Sequence, residues 1–269
     1  MTIRAGVAGW PIAHSLSPLI HGAWIRAAGL DASYTAFGPE NPAAFEALVG
    51  RLREGAIRGL NVTAPYKEQA LTLADRASDT ARACGSANLL WHDGQDVRAD
   101  STDGQGLITA LAEQAPDLDL SGQVVTVLGA GGAARAAVHA LGQSAGEVRI
   151  VNRTPARAVA LIAALQPHVS ARLTLAEGGG GSALVVNALS VPPAIDMGAL
   201  ETGAVLMDMT YRPLVTGFLS AGAERGHRVV DGLAMLIGQA RPAFETLFVL
   251  APPPVDVRAG ALGMLGEAR

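Results

Sequence analysis

The chain has 269 residues, of which 49% are hydrophobic, 16% charged and 4% aromatic. This length and apolar content are typical of a globular protein with one large or two small domains, and they exclude intrinsic disorder and long coiled coils. The net charge of −4 lacks the basic surplus that a general nucleic-acid binder or a binder of anionic membranes needs. We therefore expect a small-molecule substrate, with no nucleic acid and no membrane as partner.

The chain has one cysteine, Cys84, so no internal disulfide can form. No Cys/His cluster has the spacing of zinc ligands, and no metal is expected. The first fifteen residues, MTIRAGVAGWPIAHS, contain an Arg and a Pro–His break where a signal peptide needs a continuous apolar run. No stretch of 18 residues is free of charges and helix breakers. These features predict a cytoplasmic protein.

Apolar β-rich runs alternate with helical patterns almost from end to end, which is typical of an α/β protein. In the first half, Ser17 is expected to be the N-cap of a helix that begins at Pro18 and ends at Gly29. Asn41 is expected to cap a second helix, and a third begins near Pro65. Strands are predicted over residues 3–8, 34–37, 57–62, 87–91 and 95–99.

The second half predicts six strands, over residues 124–128, 148–151, 171–175, 184–187, 205–209 and 228–230. Such a run matches a doubly wound dinucleotide-binding sheet with the strand order 3-2-1-4-5-6. Helical patterns from Gly232 to about Leu250 and over 257–265 have no place in that sheet. We therefore predict a nucleotide-binding domain of residues 104–232 and a substrate-binding domain of residues 1–103 and 233–269.

The segment VVTVLGAGGAARAA, residues 124–137, has a G-x-G-x-x-A pattern directly after a buried strand. Gly129 permits the tight turn, Gly131 lets the backbone approach a pyrophosphate, and Ala134 lets the helix pack closely on the strand. The N–H groups at the start of the helix add the positive end of its dipole. The pattern predicts a dinucleotide site; an ordinary structural turn is the alternative.

The end of the next strand indicates which dinucleotide binds. An NAD site usually has an acidic residue there, which bonds the ribose 2′-hydroxyl. Here the segment VNRTPAR, residues 151–157, has no acidic residue and carries Arg153 and Arg157. Guanidinium groups suit a 2′-phosphate, so we expect NADP as cofactor. Two solvated surface arginines are the alternative interpretation.

Two features of the first half point to a bound acid and to proton transfer. Ser15 and Ser17 place two hydroxyls beside the N–H groups of a helix start, which suits a carboxylate. Lys67 lies in the first turn of a predicted helix, where the dipole disfavours a cation and so favours proton exchange. An ordinary helix cap and a surface lysine are the respective alternatives.

Eight short motifs then occur in order along the chain: SLSP (15–18), NVTAPYK (61–67), GSAN (85–88), STDG (101–104), GAGGAA (129–134), NRTPAR (152–157), DMTYRP (208–213) and DGLAMLIGQA (231–240). Together they resemble the shikimate dehydrogenase family over about residues 5–250. The resemblance implies an α/β enzyme with an N-terminal substrate domain and a Rossmann NADP-binding domain. Its members reversibly reduce 3-dehydroshikimate to shikimate with NADPH, in chorismate and aromatic amino-acid biosynthesis.

The resemblance also implies roles for individual residues. Lys67 and Asp103 would form the catalytic pair, and Ser15 and Ser17 would hold the substrate carboxylate. The other substrate-binding residues would be Asn61, Thr63, Asn88, Tyr211 and Gln239. The cofactor-binding residues would be Asp79, Gly129, Ala130, Gly131, Gly132, Ala133, Asn152, Arg153, Thr154, Arg157, Met209 and Gly232.

The sequence departs from the family pattern at Ser101, where Asn is usual, and at Leu189, where Thr is common. Two alternatives stay open. A quinate/shikimate dehydrogenase, or a paralogue acting on a related ring acid, would need room for an additional hydroxyl near the carboxylate. A non-catalytic NADP-binding regulator would have little reason to retain Lys67 and Asp103 together with the two serines. A monomer and a homodimer are both compatible with the sequence.

Overall fold

A computed structural model describes residues 2–266. The chain divides into two compact units: one comprises the residues up to Thr102 and those from Gln239 onward, and the other is Asp103–Gly238. The sequence-based boundary at residue 232 precedes the longest helix, whereas the structure divides the chain within that helix. Among the described residues, no helix is both long enough and apolar enough to span a membrane.

The first unit contains a mixed six-stranded sheet of order β2-β1-β3-β5-β6-β4. The neighbours β1–β2, β1–β3 and β4–β6 are parallel, whereas β3–β5 and β5–β6 are antiparallel. All four residues of β3 are buried, so this central strand carries its C-terminal end into the interior of the unit. The strands are β1 (Ile3–Ala8), β2 (Ala32–Phe37), β3 (Gly59–Val62), β4 (Arg76–Ala77), β5 (Leu89–His92) and β6 (Val97–Asp100).

The second unit contains a six-stranded sheet in which all neighbours are parallel. Its order, β12-β11-β10-β7-β8-β9, is the doubly wound 3-2-1-4-5-6 order read from the opposite edge. The strand order predicted from the sequence is therefore confirmed. The strands are β7 (Val124–Leu128), β8 (Glu147–Val151), β9 (Arg172–Leu175), β10 (Leu184–Asn187), β11 (Val205–Asp208) and β12 (Arg228–Val230).

The described part of the chain contains ten α-helices: α1 (Ser17–Ala27), α2 (Pro42–Arg53), α3 (Lys67–Leu73), α4 (Asp79–Cys84), α5 (Asp103–Gln114), α6 (Gly132–Leu141), α7 (Pro155–Leu165), α8 (Gly217–Ala223), α9 (Gly232–Phe248) and α10 (Val257–Leu265). Short 3-10 helices cover Gln166–His168 and Met197–Ala199. The helix α2 begins as predicted, since the side chain of Asn41 accepts a hydrogen bond from the Ala44 N–H.

Three details of the sequence-based prediction were wrong. The N-cap of α1 is Leu16 and not Ser17, because Leu16 is fully buried and its backbone is already helical, so the helix begins one residue earlier. The strand β4 and the helix α4, which Ser78 caps, were not predicted. The helix α9 ends at Phe248 and not near Leu250, because Val249 adopts a left-handed conformation with φ of 54°.

Candidate active site

The start of α1 carries the two serines predicted to hold a carboxylate. Ser17 is buried and Ser15 is half-buried. The Ser17 N–H donates a hydrogen bond to Ser15 Oγ over 3.3 Å, while the N-cap residue Leu16 supplies no side-chain cap. Hydroxyls and helix N–H groups are therefore grouped at one helix end, where the dipole favours an anion.

Lys67 is the first residue of α3, as its position in the sequence predicted, and it is half-buried. It lies five residues beyond the C-terminal end of β3, which carries the buried Asn61. Between them, the Thr63 N–H donates to the Ala8 carbonyl over 2.9 Å and so fixes the loop to β1. The end of β3 and this hydrogen bond therefore order the segment 61–67, which carries the predicted site residues Asn61, Thr63 and Lys67.

Asn88 is the centre of a buried polar cluster. Its Oδ1 accepts a hydrogen bond from the Thr102 N–H over 2.7 Å, and its Nδ2 donates to Thr102 Oγ1 over 2.9 Å and to Gln239 Oε1 over 3.1 Å. The three residues are at most 7% exposed. The structure therefore brings Asn88 and Gln239, which are 151 residues apart in the sequence, into direct contact.

The same cluster links the backbone of Lys67 to the segment that carries Asp103. The Lys67 carbonyl accepts a hydrogen bond from the Ala87 N–H over 2.9 Å. The next residue, Asn88, binds the Thr102 N–H, and Thr102 directly precedes Asp103. Asp103 is the first residue of α5 and is 8% exposed. Two hydrogen bonds within the first unit, one at residue 87 and one at residue 88, thus fix the backbone of Lys67 and of Thr102.

Asn61 is held by two polar partners. Tyr34 Oη donates a hydrogen bond to Asn61 Oδ1 over 2.7 Å, and Asn61 Nδ2 donates to the Asn88 carbonyl over 3.4 Å. Burial raises the pKa of the Tyr34 hydroxyl well above its usual value, so it stays protonated. The sequence analysis assigned no role to Tyr34, or to Thr102 within the motif STDG, because each acts through a partner that is distant in the sequence.

The glycine turn of the second unit lies between β7 and α6. Gly129 has a φ of 117°, and a Cβ there would lie 3.1 Å from Leu189 Cδ2. A Cβ on Gly131 would meet no atom within 4 Å among the described residues. Gly131 is also the N-cap of the ten-residue helix α6 and provides no side-chain cap. Open space in front of uncapped N–H groups fits a phosphate group.

The segment after β8 supplies the charge expected for an adenosine phosphate. Asn152 Nδ2 donates to the Thr154 carbonyl over 2.8 Å, which shapes the turn before α7. Arg153, Thr154 and Arg157 are exposed. Because residues 152–157 carry two guanidinium groups and no carboxylate, their chemistry fits a 2′-phosphate.

Met209 and Gly232 come together at one end of the parallel sheet. A Cβ on Gly232 would lie 2.5 Å from the Thr210 carbonyl oxygen and 2.8 Å from the Met209 carbonyl carbon. The backbones can approach so closely only because residue 232 is a glycine. Tyr211, which follows, is half-buried.

Asp208, which the sequence analysis did not single out, fixes this segment. It is 1% exposed and accepts hydrogen bonds from Asn187 Nδ2 over 3.0 Å, from the Thr210 N–H over 2.9 Å and from Thr216 Oγ1 over 2.7 Å. An acidic residue at the end of a buried strand is the sequence signal that could have found it. The carboxylate therefore sets the path of the loop that carries Met209.

Asp79 has a different environment from the other predicted site residues. It begins α4 in the first unit, where its carboxylate is fully exposed and lies 2.5 Å from the Arg82 guanidinium. These contacts describe a surface ion pair, and the role of Asp79 at the cofactor site stays a prediction.

A parallel doubly wound sheet with a glycine turn, next in the chain to a unit with buried polar groups, defines a dinucleotide-dependent oxidoreductase. Two family models match the sequence: a shikimate dehydrogenase substrate binding domain over residues 7–90 and a shikimate / quinate 5-dehydrogenase over residues 110–178. A shikimate dehydrogenase (NADP(+)) of Caulobacter vibrioides is 49% identical, covering 98% of this chain and 96% of the relative. The chain belongs to the shikimate dehydrogenase family.

Solved structures agree with this assignment. A shikimate dehydrogenase in complex with NADP+ superposes with a TM-score of 0.88 at 26% identity, covering 100% of this chain and 96% of the other. The shikimate 5-dehydrogenase of Thermus thermophilus, in complex with NADP(H) and shikimate, has a TM-score of 0.83 at 36% identity, covering 100% and 99%. The fold predicted from the sequence is thus confirmed over the length of the chain.

Proposed function

We propose that this chain reversibly reduces 3-dehydroshikimate to shikimate with NADPH, as an NADP-dependent dehydrogenase acting on a CH–OH group. The observation that carries the proposal is the buried Asn88 cluster, which ties Lys67 to the residue before Asp103 and holds Gln239 beside them. A ring acid with several hydroxyls suits this cluster, because amide groups and hydroxyls can both donate and accept hydrogen bonds.

The substrate is bound by hydroxyl, amide and backbone groups. Ser15 and Ser17 hold the carboxylate at the start of α1, and Tyr211 also contributes to substrate binding. Asn61, Thr63, Asn88 and Gln239 bond the ring hydroxyls, with Asp103 accepting from one of them. This division follows from charge, because the dipole of α1 favours an anion while the Asn88 cluster consists of neutral groups.

The cofactor is bound by the second unit. The backbone of Gly129, Ala130, Gly131, Gly132 and Ala133 holds the pyrophosphate, and Asn152, Arg153, Thr154 and Arg157 hold the adenosine phosphate. Met209 and Gly232 bind the nicotinamide end, and Asp79 contributes a polar contact. When bound, NADPH supplies the hydride.

Lys67 and Asp103 handle the proton. As the carbonyl is reduced, negative charge develops on its oxygen, and Lys67 Nζ stabilises this charge and donates a proton to it. In the opposite direction the same nitrogen accepts the hydroxyl proton. The Asp103 carboxylate orients the amine.

Residues 1–103 with 233–269 form the substrate-binding and catalytic domain, and residues 104–232 bind NADP. The enzyme works in the cytoplasm as a monomer or a homodimer on small-molecule substrates.

The test measures initial rates of the purified protein with shikimate and with quinate, each with NADP+ and with NAD+. We expect the highest kcat/KM with shikimate and NADP+. Lys67→Ala serves as control and should lower kcat by about 10²-fold or more with a smaller change in KM, because it removes the proton donor. If the protein binds NADPH but does not turn over shikimate, the result supports a non-catalytic NADP-binding regulator. If it turns over quinate faster than shikimate, the result supports a quinate/shikimate dehydrogenase.

A further inference from the structure

We propose that Tyr34 is a positioning residue, which fixes the amide of Asn61 so that Asn61 serves the substrate as a hydrogen-bond donor through Nδ2. The inference rests on the proposed function and adds to it a residue outside the eight motifs. Tyr34 lies on β2, at the edge of the first sheet, and is buried.

Two partners set the orientation of the Asn61 amide. Tyr34 Oη donates to Oδ1 over 2.7 Å, and the Asn88 carbonyl accepts from Nδ2 over 3.4 Å. In a flipped amide, Oδ1 would face the Asn88 carbonyl, which is also an acceptor, and the Tyr34 proton would lose its acceptor. Both losses would occur at buried atoms, where an unsatisfied polar group is costly. The short Tyr34 bond is therefore the stronger of the two constraints.

The fixed orientation determines which chemistry Asn61 offers. An amide nitrogen carries two hydrogens, and the Asn88 carbonyl accepts one of them. Within residues 2–266, no second acceptor lies at hydrogen-bond distance from Nδ2. Asn61 can thus donate to an oxygen of the substrate without breaking either internal bond.

The Tyr34 ring is itself held in place by the helix that carries the two serines. It stacks on His21 with ring centroids 4.0 Å apart and an interplanar angle of 0°, and Trp24 packs edge-on against His21 at 5.6 Å. His21 follows Ser17 by one helical turn, so both project from the same buried face of α1. The position of Tyr34 is therefore coupled to the helix start that binds the carboxylate.

His21 acts in this arrangement as a flat neutral ring. It is fully buried, and neither of its nitrogens has a hydrogen-bond partner among the described residues. Burial lowers its pKa to about 3, so the imidazole carries no charge at neutral pH. The neutral His21 ring therefore contributes packing against the Tyr34 ring and places no charge beside it.

The test removes the Tyr34 hydroxyl with Tyr34→Phe and measures steady-state kinetics in both an Asn61 and an Asn61→Ala background. In the Asn61 background we expect KM for shikimate to rise about tenfold, kcat to change less than about threefold, and KM for NADP+ to stay constant, since one oriented hydrogen bond is lost. In the Asn61→Ala background, Tyr34→Phe should change KM for shikimate less than about twofold, because the amide that the Tyr34 hydroxyl orients is absent.

Tyr66→Phe is the matched control. Tyr66 is also buried, stacks on Phe45 and donates one hydrogen bond, to the Pro39 carbonyl over 2.6 Å. The Tyr66→Phe variant should lower the melting temperature about as much as Tyr34→Phe does, and its KM for shikimate should not rise.

The outcomes separate the two proposals. An equal rise in KM with and without Asn61, or an unchanged KM in Tyr34→Phe, overturns the role of Tyr34 while the proposed function stands. A wild-type protein that does not oxidise shikimate overturns the proposed function and the role of Tyr34 with it.

Discussion

The substrate side and the cofactor side of this protein are built by different means. On the substrate side, Asn61, Asn88, Thr102 and Gln239 are at most 7% exposed and orient one another through side-chain hydrogen bonds. On the cofactor side, the predicted contacts come from a glycine turn and from the segment 152–157, of which residues 153–157 are exposed.

The difference predicts how each side responds to substitution. A buried hydrogen-bonded cluster holds a fixed geometry before the ligand arrives, so changes there alter orientation and catalysis. A glycine turn with exposed guanidinium groups depends on backbone conformation and net charge. Changes there alter cofactor affinity and its dependence on salt, with little effect on the chemical step.

The largest effect on the cofactor side is expected from Arg153→Ala combined with Arg157→Ala. The double variant removes the two proposed charge-assisted contacts to the 2′-phosphate, so KM for NADP+ should rise about 10²-fold while the rate with NAD+ stays constant. Initial rates with both cofactors measure this. Arg172→Ala, an exposed arginine of the same unit that pairs with Glu147, is the control and should leave both values unchanged. An equal loss with NAD+ would place the two arginines outside the phosphate site.

The two glycines of the turn should separate cofactor binding from folding. Gly131→Ala meets no atom within 4 Å and has a φ of −92°, so the melting temperature should stay constant while KM for NADP+ rises about tenfold. Gly129→Ala forces a φ of 117° on an alanine and should lower the free energy of unfolding by about 1–3 kcal/mol. Thermal melting and kinetics on both variants check this. A destabilised Gly131→Ala with normal KM would contradict it.

A smaller effect, on stability alone, is expected on the substrate side from His21→Phe. Because the folded pKa of His21 is about 3 and the unfolded value is 6.5, the unfolded chain binds a proton that the folded chain does not between these values. Its contribution to stability is therefore complete above pH 6.5 and decreases as the pH falls towards 3. From pH 7 to pH 5 the wild type should lose about 2 kcal/mol relative to His21→Phe.

Urea unfolding of both proteins at the two pH values measures this difference. Since the phenyl ring can stack on Tyr34 without unpaired nitrogens, the variant should be at least as stable as the wild type at pH 7. Parallel stability curves would show that His21 is protonated or solvated in the folded protein.

Much of the cofactor side could be predicted because its signals are local. The strand before Gly129 and the helix after it are neighbours in the sequence, and six apolar runs were enough to predict the order of the parallel sheet. Local chemistry and the strand pattern therefore fix this part of the fold.

The substrate side could be predicted only in part, because its partners are far apart along the chain. The motifs gave roles to Asn61, Asn88 and Gln239. They gave none to Thr102, which lies in the motif STDG and binds Asn88 across 14 residues, and they do not include Tyr34, which binds Asn61 across 27. No local pattern marks a threonine or tyrosine as the partner of a distant amide. The N-cap of α1 was misplaced for a similar reason, since the burial of Leu16 depends on the packed unit.

The most direct test of the proposed catalytic pair is a double-mutant cycle of Lys67→Ala and Asp103→Asn, measured as kcat for shikimate oxidation with NADP+. If the two residues act as one unit, Lys67→Ala lowers kcat by about 10²-fold or more, and adding Asp103→Asn lowers it little further. Two independent losses that multiply in the double variant, or a near-normal kcat in Lys67→Ala, would contradict the mechanism.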